Sequence, residues 1–283
     1  VQNTSLSGRV PGTWRALTFL ALLLLARLLL PGTPAQAAPE TLEDLRYQIA
    51  ALVWPDAARV RVTLKKPRQG RLVAEVWGET RGFIKLITGN HKERLQTEMI
   101  WRDGRLVPLV YREESWRQAK HALKEYRFNY SRSRLELWEW HEGKGLRKKW
   151  ATALQEQVYD PLSAFYNYRL QLLGPTHEGE STTIPGIPYP RSEALEVRLG
   201  PETKEGRQVM VSLVNAVFED TRGVVFAVVD AQRVPQRAWT TVCGITITGT
   251  LLPGGLIMPA GFPGLPASRP VAVRPGSGKQ NYH

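Results

Sequence analysis

The sequence predicts a mainly β protein: a strongly curved antiparallel sheet or incomplete barrel, with a short N-terminal helix and one central helix after Asp160. Three observations lead there. Short apolar–polar alternations of period two recur from Ala58 to Leu252, separated by turn residues. No repeat at solenoid period and no long interior linker divides them. One helical segment, opened by Asp160-Pro161, stands among the strands and needs a sheet to bury its face.

The chain has 283 residues, of which 42% are hydrophobic and 23% charged, values ordinary for a globular protein. Its two ends differ from the rest. Trp14 to Leu30 is rich in leucine and alanine, Arg9 stands before it and Arg15 at its start, and Ala35-Gln36-Ala37 follows a Pro-Gly-Thr-Pro break. This reads as a secretory signal, residues 1–37, cut after Ala37. The alternative is an N-terminal membrane anchor. Against it, the apolar run is short of the ~20 residues a span needs, and Arg27 lies inside it. Both readings place residues 38–252 outside the cytoplasm as one β-rich domain. Residues 253–283 are rich in Gly and Pro without a period, and read as a disordered tail.

Within the domain, Pro39 to Val53 reads as a short amphipathic helix, because Leu42, Leu45, Ile49 and Leu52 recur at helical spacing. Val60, Val62 and Leu64 then alternate with Arg59, Arg61 and Thr63 as a half-buried strand. Arg71 to Trp77 returns, and Phe83 to Thr88 reads as a further short strand. Asp103-Gly104 joins Leu95–Trp101 to Leu106–Tyr111 as a hairpin, and Pro108 marks an edge or a bulge. Leu123–Tyr130, Leu135–Trp140 and Leu146–Thr152 read as strands, the middle one with a helical alternative. The central helix starts at Asp160, a good N-cap, and Pro161, suited to the first turn, and runs to about Leu172. Gly174 to Pro190 reads as a loop. Glu193–Leu199, Gln208–Leu213 and Val224–Val229 read as strands, and Gln236–Leu252 as a long strand or bent pair.

At this point a resemblance can be stated. Gln157-Val158-Tyr159-Asp160-Pro161-Leu162-Ser163-Ala164-Phe165-Tyr166, with Tyr168-Arg169, resembles the Asp-Pro-Leu-Ser signature of the exported bacterial family called domain of unknown function 3108. Gly223 to Asp230 followed by Arg233-Val234-Pro235-Gln236-Arg237 is similar to that family's closing motif, and Gly244 to Ile247 to its last strand. The pattern departs at Phe226, where a Trp is expected. The resemblance implies a β-rich fold and a place in the periplasm or cell envelope of a Gram-negative bacterium. It implies no activity and no catalytic residues. Its structural signature here is Asp160, Pro161, Leu162, Ser163, Tyr166 and Arg169.

Charge and chemistry narrow the function classes. The net charge is +12; Arg9, Arg15 and Arg27 carry three of these and residues 1–37 hold no acid, which leaves +9 for the rest. That sign suits anionic lipid, lipopolysaccharide or wall polymers; nucleic acid is not an expected partner of an exported chain. The single cysteine, Cys243, excludes an internal disulfide and reads as a small apolar residue of a strand. His141-Glu142 lacks the second histidine of a zinc-protease helix, since Gly145 stands there, and no histidine has metal-ligand spacing. Ser163 lacks a Gly-x-Ser-x-Gly elbow and reads as part of the Asp160 cap. No catalytic residue, metal or cofactor is therefore assigned.

Interleaved aromatic and basic residues remain: Trp116, Tyr126, Tyr130, Trp138 and Trp140 with Arg127 and Arg134. They read either as a two-faced sheet or as a surface for an envelope lipid, glycan or protein. Membrane contact is expected only through the N-terminal segment or a basic face. The expected function is a noncatalytic envelope protein that binds an apolar or anionic ligand or a partner protein. The alternative is an envelope hydrolase acting on glycan or lipid, in which Glu136, Glu139 or Asp160 converge in a cleft.

Overall fold

The computed structural model describes residues 38–68, 70–154, 157–187, 194–212, 224–242 and 244–258. The N-terminal apolar segment, Cys243 and residues 259–283 lie outside the described residues, and with them the readings made for those positions. Among the described residues fourteen strands form one antiparallel sheet. They are β1 (Glu40–Ala51), β2 (Trp54–Arg68), β3 (Arg71–Thr80), β4 (Lys92–Arg102), β5 (Arg105–Arg117), β6 (Lys120–Asn129) and β7 (Arg134–His141). Then follow β8 (Gly145–Ala153), β9 (Ser181–Pro185), β10 (Ala194–Thr203), β11 (Gly206–Ser212), β12 (Val224–Val229), β13 (Pro235–Val242) and β14 (Ile245–Leu251). Among the described residues the α-helices are α1 (Gly82–Ile87) and α2 (Pro161–Arg169).

The spatial order is β8 to β1 consecutively, then β14 back to β9. Two meanders therefore meet where the first strand pairs with the last. Strands β8 and β9 are the free edges, so the sheet does not close. The chain between those edges carries α2, and Tyr159 just before the helix forms a parallel bridge with Gly186 just after β9.

Two apolar clusters lie on the α2 side of the sheet. One joins β1 to β7 residues, among them Leu64, Met99, Tyr111, Phe128 and Leu135, to Leu162 and Tyr166 of α2. The other joins Ile184, Val197, Leu199, Val209 and Val229 to Ala164 and Tyr168 of α2. One helix thus plugs both arms of the sheet, as its packing into strands at both ends of the order requires.

Several expectations are corrected. The N-terminal helix is strand β1. A bulge between Thr41 and Glu43 puts Leu42 and Leu45 on one face at a spacing that imitates a helix, and Tyr47 and Ile49 then continue that face by alternation. Pairing on both sides, with β2 and β14, overrides the local pattern. Phe83 to Thr88 is not a strand but lies in α1 and its C-cap, and α1 buries none of its residues. The loop after Gly174 contains β9. The central helix stops at Arg169, since Gln171 takes a φ of 60° and Leu172 N–H bonds to Asn167 O. The tail reading is corrected at its start: Leu256 bridges to Asp44, and Met258 is buried. The segment Arg134–His141 is a strand, without the helical alternative.

Candidate functional site

The signature residues organise the α2 end of the core. Asp160 is fully buried. Its Oδ1 accepts from Leu162 N–H at 2.9 Å and Ser163 N–H at 3.1 Å, and its Oδ2 from Thr97 Oγ1 at 2.9 Å. Ser163 Oγ returns the bond by accepting Asp160 N–H at 3.0 Å, which completes a capping box. Burial pushes the Asp160 carboxyl up, against the pull of these hydrogen bonds. Asn167, one turn on, accepts Leu106 N–H at 3.0 Å and donates to Leu106 O at 2.7 Å, so it pins the start of β5. None of these atoms faces an open space where a substrate could meet them.

Arg169 pairs with an acid in the interior. It is buried and donates to Glu43 Oε2 and to Met258 O, each at 3.1 Å. It also donates to Gln232 O, in the turn before β13. That turn is built by Asp230, whose Oδ1 accepts from Gln232 N–H and Val234 N–H. Arg233 in the same turn adopts φ of 60° and donates to Tyr168 O at 3.0 Å with its guanidinium over the Tyr168 ring. The two motifs that carry the sequence resemblance therefore lock each other: each sends an arginine into the backbone of the other.

Beside this lock, the middle of the sheet is hollow. A groove of about 400 Å³ lies between α2 and strands β1, β2, β3, β12, β13 and β14. Its walls include Ile49, Val60, Val62, Val76 and Ile247, with Leu162 and Phe165 of α2 along one side. Two polar side chains of the lining are already bonded: Tyr47 OH donates to Pro235 O and Thr240 Oγ1 to Val224 O. Small residues on its floor deepen it, since Ala238 stands opposite Gly249 in register. Such a volume and lining match the usual range for small-molecule pockets, and the chemistry offered is mainly apolar contact.

The seven aromatic and basic residues do not form one surface. Tyr126 is buried in the core beside Tyr111, and Tyr130 packs against that core with its hydroxyl on Pro108 O. On the opposite face, Arg127 lies over Trp138 at 4.3 Å, and both Arg127 and Arg112 bond the Glu125 carboxylate. Arg134 and Lys148 pair with Glu136. Trp116 stacks on His121, and Trp140 lies 5.9 Å from that ring. The bases of this face are largely matched by acids.

The carboxylates of the hydrolase alternative do not converge either. Glu136 and Glu139 take opposite faces of β7, as their pairing with Arg127 and Lys124 shows, and Asp160 is sealed in the core. Among the described residues no three His, Cys, Asp or Glu side chains are grouped as a metal ion would require.

Comparison with known proteins adds little. No protein-family model matches the chain, so the resemblance to domain of unknown function 3108 is not supported from that side. No curated protein matches it in sequence. Among solved structures, a "beta-barrel-like protein of domain of unknown function DUF1849" from Brucella abortus is similar at 9% identity and a TM-score of 0.46, over 76% of this chain and 98% of that one. A likeness of that depth assigns neither family nor function.

The place of α2 after Asp160 was legible in the sequence; the groove beside it was not. Ala238 and Gly249 carry no pattern along the chain; only strand register aligns them.

Proposed function

We propose that this is a noncatalytic exported protein that holds an apolar ligand, of the acyl-chain class, in the groove between α2 and strands β1–β3 and β12–β14. The observation that carries this reading is the groove itself: about 400 Å³ walled mainly by aliphatic and aromatic side chains, with the Tyr47 and Thr240 hydroxyls bonded within the protein. A site lined so largely by apolar groups selects ligands by apolar contact, at roughly 25 cal/mol for each Å² removed from water. The export-type N-terminal segment supports a place in the cell envelope, where acyl chains are abundant. Solvent extraction of the purified protein followed by mass spectrometry should recover lipid. Ala238→Trp, which fills the floor, should abolish capture of an apolar fluorescent dye while leaving the melting temperature within a few degrees. Recovery of no lipid, together with dye capture unchanged in Ala238→Trp, would overturn the proposal.

A further inference from the structure

Every second connection of the first meander falls at the same end of the sheet: the β1–β2 turn, the β3–β4 connection with α1, the β5–β6 turn and the β7–β8 turn. Two of them carry large apolar side chains with little over them. Leu52 and Val53 are 62% and 83% exposed, and Phe83, Leu86 and Ile87 of α1 are 54%, 76% and 57% exposed. These are neighbours, since Trp54 stacks on Phe83 at 5.7 Å and Arg81 N–H bonds to Ala57 O. Contiguous apolar exposure of this kind marks an interaction surface. Leu52 is also held at a φ of 53°, a conformation that leucine rarely takes.

The surrounding charge is mainly positive, although Asp56 pairs with Arg81 at 3.9 Å and Glu142 stands in the β7–β8 turn. From Arg81 to Lys92 the chain holds Arg81, Lys85 and Lys92 and no acid. Gln118 N–H bonds to Gly89 O at 2.8 Å, which brings Arg117 and Lys120 of the β5–β6 turn alongside. A second copy of this end would bring a like-charged rim against it. An anionic bilayer would neutralise the rim and bury the apolar tip together.

We infer that this end docks on an anionic lipid bilayer, with Leu52, Val53, Phe83, Leu86 and Ile87 entering the interface and the basic rim contacting headgroup phosphates. Among the described residues no helix is long and apolar enough to cross a membrane, and the docking needs none. The groove reaches the same end, because its residues Ile247 and Thr240 lie in register with Ala51 at the β1–β2 turn. An acyl chain could pass between bilayer and groove there. That last consequence rests on the function proposed above; the docking itself does not.

The test uses the full chain with Cys243→Ser and one environment-sensitive dye, attached at Val53→Cys or, as a control at the opposite end, at Asp103→Cys. Vesicles containing phosphatidylglycerol should shift the dye at position 53 to the blue and allow its quenching by bilayer-embedded doxyl groups. Pure phosphatidylcholine should not, high salt should weaken the effect, and position 103 should stay silent. Leu86→Asp with Ile87→Asp should reduce this insertion about tenfold without changing dye capture by the groove. A chain that sediments with vesicles while position 53 remains unquenched binds through its N-terminal apolar segment, and the inference fails. It fails equally if position 53 is already blue-shifted without vesicles, because another copy or another part of the chain then covers the patch. Loss of groove capture with insertion intact would sink the proposed function and leave the docking surface standing.

Discussion

At Arg169 a guanidinium almost sealed from water meets a carboxylate, Glu43, with none of its side chain exposed. Burial pushes the Glu43 carboxyl up, and the Arg169 charge works against that rise. A pair of this kind adds little over an apolar pair, but breaking it strands a charge. Arg169→Met should therefore destabilise the protein by about 3–5 kcal/mol, measured by urea unfolding. Adding Glu43→Leu should recover most of the loss, and a double-mutant cycle gives the coupling. A single-variant loss below about 1 kcal/mol would mean the pair is not what holds these segments together. The helix side of this contact was legible: Asp160, Pro161, Ser163 and Arg169 stand at cap and turn spacing. Its partner was not, for Glu43 is 126 residues away and in a segment whose spacing imitates a helix.

Elements decide how the groove is framed. Strand β1 is paired on both sides, by β2 and by β14, and the chain after β14 folds back over it. Asp44 and Leu256 exchange backbone hydrogen bonds at 2.8 and 3.0 Å, and Met258 is 1% exposed within the main core. The residues just past the last strand are thus part of the domain, not a tail. Met258→Ala should cost about 2–5 kcal/mol, as deletion of a buried Met does; a change under about 0.5 kcal/mol in a denaturant titration, the usual size at a surface position, would return this segment to the surface. Helix α1 is the reverse case. It has no side-chain N-cap bond and buries no residue, so nothing in its own sequence distinguished six helical residues from a short strand. Its place between β3 and β4, and the turn at Gly89-Asn90 with φ of 70° and 56°, made it helical.

For the molecule as a whole, pH acts on the two faces with opposite signs. On the outer face, the Arg61 hydrogen bonds hold the Asp44 carboxyl below its usual range, helped by Arg46. That stabilisation is complete above the unfolded value of about 4 and is lost as pH falls through the lower folded one. In the interior, burial raises Glu43 and Asp160, whose ionisation therefore opposes folding; stability from these groups grows as pH falls through their raised values. Calorimetry should show a melting temperature that is level or rising from neutral to mildly acidic pH, and falling only below about pH 4. Asp44→Asn should flatten the acidic fall. A melting temperature that drops steadily from pH 7 downward would contradict this assignment.

What the sequence determined by itself was set by local rules. Alternation over Val60–Leu64, the Asp103-Gly104 hairpin and the Asp160-Pro161 cap each express their structure within a few residues, so the β class and the central helix could be read directly. Tertiary structure alone decided which strands are neighbours across the molecule. It joined β1 to β14, turned a helix-like spacing into a bulged strand, and set Ala238 opposite Gly249 on the floor of the groove. The hollow beside α2 exists because those small side chains meet in register. Register between distant strands is a property of the assembled sheet, where each pairing is chosen by the faces it must bury rather than by residues adjacent in the chain.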